Sequence, residues 1–139
     1  MRLALLFVFL ASPVFAWEFT ASPICTLSHS EGDTDVVVTY DPSAGLYSIA
    51  ISTEQGWPPS DGFSIRFDGA NPLIISTRRH AVSDRTLTVT DTGFGNVLNG
   101  LAFNLTATAF TATAATTVSL DGAQEPVADF RACVTAPSV

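Results

Sequence analysis

Between Val36 and Thr90 the apolar residues recur mostly at every second position, and this period most constrains the fold. Val36, Val38 and Tyr40 fall on one face of an extended chain. Tyr47, Ile49 and Ile51 alternate with Leu46, Ser48 and Ala50. Phe63, Ile65 and Phe67 alternate with Ser64, Arg66 and Asp68. Leu73, Ile75 and Thr77 form the next set, and Leu87 and Val89 stand between Thr86, Thr88 and Thr90. Half-buried antiparallel strands carry this pattern, because successive side chains point to opposite faces of a sheet. Turn-forming residues break it at 41–45, 56–62 and 68–72.

Two segments follow a helical period instead. Phe94, Leu98, Leu101 and Leu105 are spaced i, i+4, i+7, i+11, which predicts a short helix over 95–101 limited by Gly100. Ala123, Val127, Phe130 and Val134 repeat the spacing and predict a helix over 123–133. Asp121 would cap it, Glu125 suits its first turn, and Pro126 is tolerated there. The Thr/Ala-rich stretch 106–117 reads as a hairpin whose small residues pin register weakly. The expectation is an α+β fold: a mainly antiparallel β-sheet or sandwich of about seven to nine strands with one or two short helices, the last near the C-terminus.

The first sixteen residues read as a secretory signal peptide. Arg2 precedes an apolar run from Leu3 to Ala11, Pro13 breaks it, and Val14 and Ala16 fill the −3 and −1 positions of a cleavage site before Trp17. A spanning helix needs about 20 apolar residues, and this run is shorter. Residues 17–139 then form one exported domain, periplasmic or extracellular, with no membrane span after cleavage. Cys25 and Cys133 lie near its two ends. In an oxidising compartment an even cysteine count predicts a disulfide between them. Closing a loop of about 100 residues gains roughly 4.7 kcal/mol in the chain-entropy model.

The charge balance excludes several functions. The chain has 13 acidic and 6 basic residues, a formal charge of −7, and every basic residue is arginine. Removing Arg2 with the leader takes −7 to −8. Without lysine there is no P-loop, Schiff-base or kinase lysine. Without a basic surface, neither nucleic acid nor a nucleotide is an expected partner.

Part of the C-terminal half resembles a known family. A short helix with Val97-Leu98-Asn99-Gly100-Leu101 leads to an extended segment at 104–110. A strand then ends in Leu120-Asp121-Gly122-Ala123, before a helix with Val127, Phe130 and Cys133. This order, over about residues 94–133, is similar to the invasion-associated locus B proteins, small exported β-rich proteins of alphaproteobacteria. The resemblance implies an envelope protein with a role in host or surface contact. It carries over no catalytic residues.

No catalytic or metal-binding constellation stands out, so no catalytic residue, metal or cofactor is assigned. His29 and His80 are the only histidines, and zinc spacings and nucleophile elbows are absent. Gly93-Phe94-Gly95 begins like a dinucleotide loop, but Leu98 occupies the third glycine position. Glu31, Asp33 and Asp35 could supply oxygens to a hard cation; a polar turn before Val36 is the expected reading. Trp57-Pro58-Pro59 offers either a stiff apolar surface or an indole packed over the sheet edge, and packing is expected. Arg78, Arg79, His80 and Arg85 form a candidate anion-binding loop, expected as a hairpin between the strands around Ile75 and Leu87. Guanidinium forks suit carboxylates, sulfates and phosphates. The plainer expectation for this loop is a solvated hairpin with charges paired to Asp84.

The leading functional expectation is a non-catalytic binding or interaction module with an envelope or protein partner. The alternatives are a small hydrolase using carboxylates or His80, which needs these groups converged in a cleft, and a small-ligand carrier, which needs a closed barrel around an apolar cavity.

Overall fold

The computed structural model of the chain describes residues 16–136. The signal-peptide expectation for 1–16 therefore falls almost wholly outside the described residues. Within them, the period-two segments form strands: β1 (Glu18–Thr20), β2 (Cys25–Glu31), β3 (Thr34–Asp41), β4 (Leu46–Ser52), β5 (Phe63–Asp68), β6 (Leu73–Thr77), β7 (His80–Ser83) and β8 (Thr86–Asp91). The helix α1 (Gly95–Phe103) follows, then the hairpin β9 (Thr106–Phe110) and β10 (Ala115–Ser119), and α2 (Gln124–Thr135). The ten strands exceed the expected number because β1 is only three residues long and β7 lies inside the segment read as a loop.

The strands build two antiparallel sheets. One has the order β1-β2-β3-β4-β8-β7; the other has the order β10-β9-β5-β6. Their inner faces carry the alternating sets. Leu27, Val38, Phe67 and Leu87 are buried completely between them. The class is α+β and sandwich-like, as the periodicity implies. The two helices pack on one another, and α2 also packs against β1 and β2. They close the end of the sandwich where Tyr47 meets Phe94 at 5.3 Å and Phe130 at 6.3 Å between ring centroids. A Cβ at Gly100 of α1 would fall on the ring of Phe67, so a glycine is what lets this helix approach the sheet. At the same end Cys133 of α2 is bonded to Cys25 of β2, with Cα atoms 6.0 Å apart across a separation of 108 residues.

The Thr/Ala-rich hairpin has a firmer register than its small side chains suggest. Thr108 and Thr117 hydrogen-bond across it at 2.9 Å, and Thr34 bonds Thr116 at 2.6 Å. Its inner residues are the small Ala107, Ala109 and Val118, and the indole of Trp17 fits against that surface.

Three local expectations are corrected. The polar turn before Val36 shrinks to Gly32 and Asp33, because β2 and β3 run up to it on both sides. Glu31 is held there by accepting the Ser119 N–H at 3.0 Å. Asp121 does not cap α2. The N-cap is Ala123 without a side-chain bond, and Gly122 at φ 75° turns the chain just before it. Finally, 78–85 is not one hairpin loop. Arg78 and Arg79 cross from one sheet to the other, His80 begins β7, and only Asp84 and Arg85 make the turn into β8.

Candidate functional site

The two sheets differ by two strands, so the larger one overhangs. On the β1–β2 side α2 covers the overhang. On the other side, β6 is the edge of the four-stranded sheet and β7 the edge of the six-stranded one. Residues directly opposite in an antiparallel pair share a face. Val82 is opposite Leu87 and His80 is opposite Val89, so both point inward. Val82 nevertheless remains 40% exposed, because no strand of the smaller sheet lies over it.

A groove of about 500 Å³ opens beside this corner. Ile49 and Val89 come from the larger sheet, Ile65 and Ile75 from the smaller, and Phe94 and Val97 from α1. Arg79, Asp91 and Asn96 stand among its polar lining residues. The volume lies in the usual range of ligand and peptide clefts, about 300–1,000 Å³. By contrast, the void between the sheets is about 20 Å³, so the interior itself is filled. A second depression of about 400 Å³ sits between the 53–58 loop and the β9–β10 turn. It offers little apolar side chain, since Trp57 is buried and donates its indole N–H to the Ile51 carbonyl at 2.9 Å.

The candidate anion-binding residues are dispersed. Arg79 lines the groove, whereas Arg78 does not and Arg85 lies at the β7–β8 turn. All three guanidinium groups are exposed, and none is in an ion pair among the described residues. The expected pairing with Asp84 is therefore absent. His80 is half-buried on β7, with its ring 6.2 Å from Phe63 and its Nδ1 without a hydrogen-bond partner among the described residues. No carboxylate bonds it.

The other acids do not assemble into a site. No group of three His, Cys, Asp or Glu residues converges among the described residues. Glu31 bonds His29 Nε2 at 3.1 Å, and Asp35 accepts the Ser30 hydroxyl. Asp68 pairs with Arg66 at 2.9 Å on the surface. Sequence reasoning missed the groove because its lining comes from four separated stretches, at 49, 63–65, 75–79 and 89–97. Each stretch reads locally as ordinary strand or helix.

No helix among the described residues is long and apolar enough to cross a membrane. No protein-family model, curated protein or solved structure matches the chain.

Proposed function

We propose that the domain is an exported, non-catalytic interaction module and that it binds its partner through the groove bounded by β6, β8 and α1. One observation carries this reading: an open groove of about 500 Å³, with Ile75 and Val89 part-exposed on its walls over a buried apolar floor, lies at a corner where no strand of the smaller sheet covers the larger one. Clefts of this size with apolar walls and a few polar groups at the rim are the usual place for a bound partner group. Export is supported by the N-terminal pattern and by the Cys25–Cys133 bond. The resemblance to invasion-associated locus B proteins agrees with an envelope setting.

The alternatives gain less support. A hydrolase needs an acid and a base brought together, and His80 has no carboxylate beside it. A carrier needs an enclosed apolar cavity, and the space between the sheets is about 20 Å³.

Site-specific photocrosslinking tests the proposal. A benzophenone side chain at Asn96, on the groove, should give a discrete adduct in the native envelope. The same group at Thr108, on the outer face of β9, should not. Equal adduct patterns from both positions would remove the groove from the account.

A further inference from the structure

The sandwich has four strand edges, and they are not alike. The β10 edge is occupied by side chains of the other sheet: Glu31 takes the Ser119 N–H at 3.0 Å, and Trp17 donates to the Ser119 carbonyl at 3.0 Å. The β1 edge lies under α2. β6 carries no such side-chain bond from the other sheet and has only limited contact with a helix, α1. Its sole strand neighbour is β5, and among the described residues the backbone of 73–76 makes no further hydrogen bond beyond that pairing. Edge strands are normally protected by charges, proline, bulges or extreme shortness, because their free N–H and C=O groups template pairing with another chain. Leu73-Ile74-Ile75-Ser76-Thr77 contains no charge and no proline, and Ile74 is 59% exposed.

The free edge also borders the groove. Leu73, Ile75 and Thr77 face inward, so a strand added beside β6 would send alternate side chains toward the exposed inner face near Val89. One more strand would also reduce the mismatch between the sheets. The chain flanking the free edge is charged on one side only: Arg78 and Arg79 follow directly after Thr77, exposed and unpaired among the described residues. On a strongly acidic chain this is a local positive end, and it selects a carboxylate in whatever lies alongside.

We infer that β6 receives an extended segment of another protein as an added strand. That segment carries apolar residues at alternate positions and acidic residues at the end beside Arg78 and Arg79. Antiparallel pairing, the more stable form, places that acidic end at the N-terminal side of the incoming strand. This inference rests on the groove being the binding site and specifies what enters it.

The probe is a fluorescein-labelled peptide, Asp-Asp-Val-Thr-Val-Thr-Val-amide, titrated against the oxidised protein lacking residues 1–16, with fluorescence anisotropy as the readout. It should bind about tenfold more tightly than Lys-Lys-Val-Thr-Val-Thr-Val-amide, the combined effect of two exposed charge pairs. The double variant Arg78→Glu/Arg79→Glu should reverse that preference. Backbone N-methylation distinguishes strand pairing from side-chain docking. Methylating one alternate set of peptide residues should abolish binding, and methylating the other set should leave it. Amide hydrogen exchange should slow at 73–76 when the unmethylated peptide is bound. No binding at 1 mM peptide, a number chosen as roughly the weak limit of specific association, would overturn the inference. So would equal effects of the two methylated sets, or a concentration-dependent dimer of the protein through β6. If the unmethylated peptide binds without slowing exchange at 73–76, the groove stands as a binding site and strand addition falls. If the Asn96 photocrosslink fails, the underlying reading falls first.

Discussion

The indole of Trp17 lies flat on the imidazole of His29, with ring centroids 4.6 Å apart and planes within 8°. Both residues are buried. The indole N–H bonds the Ser119 carbonyl, His29 Nε2 bonds Glu31, and Glu31 accepts the Ser119 N–H. One cluster therefore ties the start of the described chain to β10 in the other sheet. It explains why that hairpin can be built from alanine and threonine: the indole supplies the volume that its own side chains lack.

Trp17→Ala should accordingly destabilise the domain by about 3–5 kcal/mol, the usual cost of removing a buried large aromatic side chain. Urea denaturation of the oxidised protein measures it. A loss below about 1 kcal/mol would mean that the indole is not part of the core, since surface substitutions rarely exceed half that value.

The disulfide joins the first buried strand to the last helix, so reduction should release α2 before the sheets. Replacing both Cys25 and Cys133 by alanine should cost about 2–5 kcal/mol. The oxidised protein should weigh about 2 Da less than its reduced form, the mass of two hydrogens. A mass showing two free thiols in protein purified without reductant would contradict the pairing.

Asp41 gives a pH-dependent prediction at the β3–β4 hairpin. The Ser43 hydroxyl donates to its carboxylate at 2.7 Å, and the Ser43 N–H donates at 3.0 Å. These bonds favour the charged form and hold its pKa below the ordinary aspartate value. The sign follows from linkage: a folded pKa below the unfolded one adds stability above the unfolded pKa. That contribution disappears as pH falls through the folded pKa. Ser43→Ala removes the largest cause and should move the carboxyl titration of Asp41, followed by NMR, back toward the ordinary range. An unchanged midpoint would assign the effect elsewhere.

Legibility in the sequence followed the range of the interactions involved. The alternation of Val36, Val38, Ile49, Ile51, Phe63, Ile65 and Phe67 marks β3, β4 and β5, because burying one face of a strand is a local requirement. The helical spacing around Leu98 and Phe130 marks α1 and α2 for the same reason. The segment from Arg78 to Arg85 misleads, because a chain passing from one sheet to another has no period of its own. Its charges suggest a solvated loop, yet His80 pairs with Val89 inside a sheet. Glu31 misleads differently: a carboxylate beside glycine reads as turn, while a long-range bond to Ser119 keeps it on a strand. The groove is the least legible feature. It exists because one sheet is two strands wider than the other, and no single segment records that difference.

The central claim is that this uncovered corner is the working surface of the protein. The most direct measurement compares adduct yield from the benzophenone at Asn96 in the natural sequence and in Val89→Trp, whose indole would occupy the groove. The account predicts that the adduct disappears in the tryptophan variant while the Cys25–Cys133 bond and the cooperative unfolding transition persist. An undiminished adduct from a folded, disulfide-bonded Val89→Trp protein would contradict it.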